Sequence, residues 1–165
     1  MQLTGKQIVD LGIINGVCEK GIQQQGVDVR LASIRLAGTN GTVSEVSTVI
    51  PESGPEIFPD EQQYYHLSPG YYEVTLIESC TIPPNIAMRF HTRSSLVRCG
   101  VHVFSGQFDA GFHTDAMGCY LHVIQSITIQ RGARIAQAIC TETYNVDGEH
   151  LYAGQYQGDK QRRNV

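Results

Sequence analysis

The sequence predicts an all-β domain of the distorted jelly-roll or barrel type, entered through one short N-terminal helix. Short runs rich in Val, Ile, Thr and Tyr recur along the chain, Gly and Pro punctuate them, and helical spacing is confined to the first residues. At 165 residues, 41% hydrophobic and 17% charged, the chain suits one globular domain with a full core. That domain is expected over residues 1–150, with 151–165 as a flexible C-terminal lid.

The elements follow in order. Thr4 to Asn15 reads as the helix, with Thr4 as its cap, Ile8, Leu11 and Ile14 on one face, and Gly16 at its stop. Gly26 to Leu31 alternates apolar and polar residues as a half-buried strand does. Residues 37–62 read as loops around short strands such as Val46 to Ile50. Tyr72 to Ile77 is a strand, and Pro83-Pro84 forces a turn after it. Ala87 to His91, Val101 to Phe104, Cys119 to Ile124, Ser126 to Gln130 and Ile135 to Thr141 follow with no helix between them, the spacing of a barrel or jelly roll.

Composition narrows the function. A formal charge of −4 gives no general attraction to nucleic acid or anionic membrane, so an anion site must be a local arrangement of cations. The N-terminus has neither the pattern of a signal peptide nor that of a spanning helix. The five cysteines lie singly, with no CxxC pair, and read as buried small hydrophobes in a reducing cytoplasm.

Four segments carry candidate chemistry. His91-Thr92-Arg93-Ser94-Ser95-Leu96-Val97-Arg98 gathers two arginines and two serine hydroxyls, either a phosphate grip or a capped helix with solvated arginines. Asp109, between Phe108 and Ala110, reads as a semi-buried general base or as a turn aspartate. Gly132 to Gln137 is a turn entering a buried strand, with an amide at an inward position. Tyr152, Tyr156 and Gln157 lie in a glycine-spaced aromatic tail, able to fold over a ligand or to stay disordered.

In this order the segments resemble the dUTPase and dCTP deaminase superfamily. Leu3 to Gly16 and Gln25 to Leu31 resemble the deaminase-type N-terminus and first motif, and Pro69 to Pro83 the strand leading onward. Arg93 to Arg98 is similar to the second motif of both branches, Gly106 to Phe112 to the third, Gly132 to Gln137 to the fourth, and Tyr152 to Gly158 to the deaminase-type tail. The resemblance implies a jelly-roll homotrimer with active sites at subunit boundaries. It puts Arg93, Ser94, Ser95 and Gln137 on a triphosphate and Asp109 beside the deoxyribose as activator of the attacking water. It sets Phe112 against the sugar and Asp28 in the polar shell of a Mg2+ ion held largely by the phosphates.

Within the superfamily, deamination implies a glutamate about one strand after the third motif. No glutamate occurs between Asp109 and Thr141, and His122 is the nearest titratable group there. Hydrolysis of dUTP to dUMP and pyrophosphate needs only positioning, a screened triphosphate and an activated water, and is the expected activity. A dCTP deaminase and a non-catalytic nucleotide-binding regulator are the alternatives. Departures from the family pattern are the inserted His113 to Met117, and Gln155 and Asp159 in the tail, where Lys160, Arg162 and Arg163 are candidate replacement cations. His102, His113 and His122 are candidates to converge on a metal, although their spacing fits no zinc pattern.

Overall fold

The structure, a computed structural model, describes residues 1–154 and 156–158. Its main sheet runs, neighbour to antiparallel neighbour, through Ile86–Thr92, Arg134–Glu142, Gly26–Leu36, Gly70–Leu76, Gly118–Val123 and Val101–Phe104. The two end strands meet: the Val103 N–H donates to the Thr92 hydroxyl at 2.8 Å, so the sheet nearly closes into a barrel. Ile34, Leu31, Leu121 and Ile135 fill the interior with no exposed surface. Each such side chain contributes roughly 1.5–3 kcal/mol by leaving water. The all-β expectation holds.

The helix is shorter than its sequence pattern. It spans Gly5–Asp10, held by a capping box in which the Gln7 N–H donates to Thr4 Oγ1 at 3.3 Å and the Thr4 N–H to Gln7 Oε1 at 2.9 Å. Gly12 takes φ +66°, which ends the helix, so Gly16 is not its stop and Leu11 lies 62% exposed instead of on the buried face. Ile13 and Ile14 are buried beyond it, and Ile14–Asn15 pairs with Ser79–Thr81 as strand. The first long strand extends to Leu36, past the expected Leu31, because a register shift between Leu31 and Ser33 breaks the alternation without ending the pairing. The Val46 to Ile50 strand is reduced to Thr48–Val49, paired with Thr42–Val43.

Glu78 has no exposed surface, yet is fully served. It accepts from the Arg30 backbone N–H and from Arg30 Nε, each at 2.7 Å, while Arg30 Nη2 donates to the Gly16 carbonyl at 2.6 Å. The pair joins the N-terminal loop to the sheet, and it raises the Arg30 pKa chiefly through the Glu78 hydrogen bond. Cys80, Cys119 and Cys140 are buried, Cys18 is half-buried and Cys99 is exposed. Burial pushes the Cys119 and Cys140 thiols up to about 12. Among the described residues no helix is long and apolar enough to cross a membrane.

Candidate active site

Three neighbouring strands build an open groove of about 500 Å³. His91 stands opposite Gln137 and Gln137 opposite Asp28, so one cross-strand rung places an imidazole, an amide and a carboxylate on one face. Arg89 on the same strand and Arg93 just past its end flank His91 at two-residue spacing and also line the groove, with Ser94 beside them. The groove therefore holds Asp28, Arg93, Ser94 and Gln137 of the residues expected at the phosphate site.

The charges in this groove are tied together. Asp28 is 3% exposed, and its Oδ2 accepts from Arg93 Nε at 3.0 Å and from Arg134 Nη1 at 3.1 Å. Arg93 Nη1 donates to the Arg134 carbonyl at 3.0 Å. Burial raises the Asp28 pKa, against the lowering effect of the two guanidiniums. The arginines supply its compensating charge and hydrogen bonds. Asp28 Oδ1 has no protein partner among the described residues. A carboxylate with one oxygen already on two guanidiniums is unsuited to direct metal ligation, and its other oxygen suits a metal-bound water. Such a carboxylate fits an outer-shell contact to a phosphate-bound divalent cation better than direct ligation.

Other expected site residues lie apart from this groove. Ser95 and Arg98 are exposed on the short helix Ser94–Arg98 and do not line it. Asp109 belongs to a second cluster and is exposed, not semi-buried. Phe108 and Ala110 turn inward on either side of it, so the intervening carboxylate points out. Phe108 bridges Met88 by two backbone hydrogen bonds of 2.9 and 3.1 Å, and its ring lies 4.9 Å from Phe90. Met88 and Phe90 alternate with Arg89, His91 and Arg93, so this hairpin packs on residues of the opposite parity from those three groove residues.

The described part of the tail is held by the same hairpin. Tyr152 donates its N–H to the Ala110 carbonyl at 2.9 Å, and its ring meets Phe112 edge-on at 5.1 Å. Gln157 Nε2 donates to the Gly111 carbonyl and Gln157 Oε1 accepts from the His113 N–H, both at 2.9 Å. Tyr156 is exposed, with its N–H on the Tyr152 hydroxyl at 3.4 Å. Gln155, Asp159, Lys160, Arg162 and Arg163 lie outside the described residues.

The three histidines do not converge. His102 and His122 face each other across two strands, whereas His113 lies on another sheet, with Nδ1 3.0 Å from Thr81 Oγ1. The sequence assigns no role of their own to Arg89, His91 and Arg134, although His91 and Arg134 lie inside the candidate segments. The first two carry a readable signal, being at strand spacing from Arg93; Arg134 does not, because a bulge between Arg134 and Ala136 shifts its parity.

Comparison with known proteins places these features in context. The family model described as dCTP deaminase-like matches residues 3–143. A deoxyuridine 5'-triphosphate nucleotidohydrolase of Methanocaldococcus jannaschii is 35% identical over 144 residues, covering 85% of this chain and 89% of its own. A probable enzyme of the same name from Aeropyrum pernix is 29% identical over 162 residues, 96% of this chain and 99% of its own. Among solved structures, the 2'-deoxycytidine 5'-triphosphate deaminase of Agrobacterium tumefaciens superposes with a TM-score of 0.65 at 18% identity, over 84% of this chain. The chain spans about half of that deaminase, 47% of its length, and at that identity the likeness is one of fold.

Proposed function

Because the chain belongs to the dCTP deaminase-like family, we propose that it is a dUTP diphosphatase, releasing dUMP and pyrophosphate. The observation that carries this reading is the groove, where Arg93, Ser94 and Gln137 offer donors around a buried, doubly paired Asp28. Such a cradle suits a polyphosphate, which needs several donors more than it needs covalent chemistry. Both relatives above bear the name of a dUTP-hydrolysing enzyme, which supports the substrate.

In this reaction water adds to the α-phosphorus, the bond to the pyrophosphate oxygen breaks, and Asp109 takes the proton of the water. Its exposure leaves it open to that water. Phe112 packs the deoxyribose, and Arg93, Ser94 and Gln137 hold the charge that moves onto the leaving pyrophosphate. When bound, Mg2+ screens the triphosphate. Ser95, Arg98, Tyr152, Tyr156 and Gln157 complete the contacts, and the tail from 151 acts as a lid over the nucleotide.

The hairpin and the groove belong to different sides of one strand, which supports a site assembled from two copies in a homotrimer, the hairpin of one completing the groove of another. Deamination is the weaker reading, since no glutamate follows Asp109 before Thr141.

The test is a product assay with purified protein, magnesium and each deoxynucleoside triphosphate in turn. The expected result is dUMP and pyrophosphate from dUTP. Uracil nucleotides from dCTP would overturn the choice of branch, and binding without turnover would make the protein a nucleotide-binding regulator.

A further inference from the structure

The strand Arg134–Glu142 reaches the groove through a defect in its pairing. Gln137 stands opposite Asp28 and Ala136 opposite Val29, but Arg134, not Ile135, stands opposite Arg30. Regular alternation would give Arg134 the parity of Ala136 and Ala138, which are fully buried. The extra residue reverses that phase: Ile135 is fully buried, and the Arg134 guanidinium reaches Asp28, the neighbour of Gln137. Arg134 does not line the groove; it stands behind Asp28.

From there Arg134 holds Arg93 by two routes. Its Nη1 shares Asp28 Oδ2 with Arg93 Nε, and its backbone carbonyl accepts from Arg93 Nη1. The same Nη1 also donates to the Lys20 carbonyl, which ties Arg134 to the N-terminal turn. With Nε and Nη1 engaged, Arg93 Nη2 is the one nitrogen of that guanidinium without a protein partner among the described residues. A side chain with several rotatable bonds is thereby fixed with one edge left for a ligand.

We propose that Arg134 is a positioning residue for phosphate binding, set by the bulge to brace Arg93 through Asp28 and through its own carbonyl. The proposal rests on the reading of the groove as a polyphosphate site. Asp28 also serves this brace: its raised pKa, caused first by burial, fits a carboxylate that relies on both arginines to stay ionised. Removing Arg134 leaves Arg93 as the single partner of that carboxylate, so Arg93 is drawn toward Asp28 and away from the ligand.

A double-substitution cycle tests this, read by calorimetric binding of inorganic tripolyphosphate with magnesium, beside dUTP turnover. Arg134→Gln should weaken tripolyphosphate binding about tenfold, yet cost almost nothing further in an Arg93→Ala background. The same loss in both backgrounds would overturn the brace, because Arg134 would then act independently of Arg93. If Arg134→Gln does not fold, the cycle runs with Arg134→Lys, which keeps a charge for Asp28 without the planar fork; about a threefold loss, again absent without Arg93, is expected. A wild-type protein that binds tripolyphosphate but releases no pyrophosphate from dUTP overturns the hydrolase reading alone and leaves the cycle readable. One that does not bind tripolyphosphate overturns the brace as well.

Discussion

Gln157 and Gly111 lie 46 positions apart, and the side-chain amide of the first donates to the backbone carbonyl of the second at 2.9 Å. The same amide accepts from the His113 N–H, so one side chain engages both of these hairpin backbone groups. Gln157→Ala should therefore free the His113 amide. Hydrogen exchange at that amide should accelerate about fivefold, as expected for loss of about 1 kcal/mol of hydrogen bonding, while the barrel strands keep their protection. Unchanged exchange at His113 would mean that the tail is not held there in solution.

Asp109 is the expected activator of water. Asp109→Asn keeps its shape and exposure but takes up no proton, so turnover of dUTP should fall by about 10²–10⁴-fold with tripolyphosphate binding little changed. Because the side chain is exposed and its backbone carbonyl, not its carboxylate, accepts from Phe112, the melting temperature should hardly move. Comparable turnover in the variant would remove Asp109 from the mechanism.

Glu78 is a costly carboxylate to lose from the fold. Glu78→Ala would leave Arg30 without its partner and its backbone N–H without an acceptor, in a position where the glutamate had no exposed surface. Breaking such a pair costs about 3–5 kcal/mol. Urea unfolding should show the unfolding free energy lowered by that amount, and a loss under about 1 kcal/mol would show that water replaces the carboxylate.

The thiols should divide sharply. Cys99 is exposed and should react fast with a disulfide reagent, whereas Cys80, Cys119 and Cys140 should react only on unfolding. The folded pKa of Cys119 and Cys140 is raised from 9.0 to about 12, so their contribution to stability is fully present below about 9 and lost as pH rises through about 12. Stability measured over that window should fall, and Cys119→Ala should make the fall shallower.

The strands and their order of motifs were legible because alternation, turn residues and prolines act locally. Where legibility failed, the cause was a change of phase or a partner far along the chain. Leu11 keeps helical spacing, but the positive φ of Gly12 ends the helix before Leu11 can be buried. The strand from Gly26 outran its expected end because a register shift hides its second half. Asp109 reads as semi-buried between apolar neighbours, but Phe108 and Ala110 both face inward and leave it exposed. Of the groove residues, Asp28, Arg93, Ser94 and Gln137 were found through motifs. Arg134, behind the groove, has no such signal, since its phase is set by a bulge.

The parity change at Arg134 carries a consequence for how this protein can drift over generations. Substitution alters one side chain, but gain or loss of a single residue between Gly132 and Ala136 would exchange the faces of Arg134 and Ile135, turning a guanidinium toward the interior and an aliphatic chain toward Asp28. The length of this short stretch is therefore under tighter constraint than its letters: related chains can differ in residue type here, but a frame-preserving deletion of one codon should be rare among those that still work.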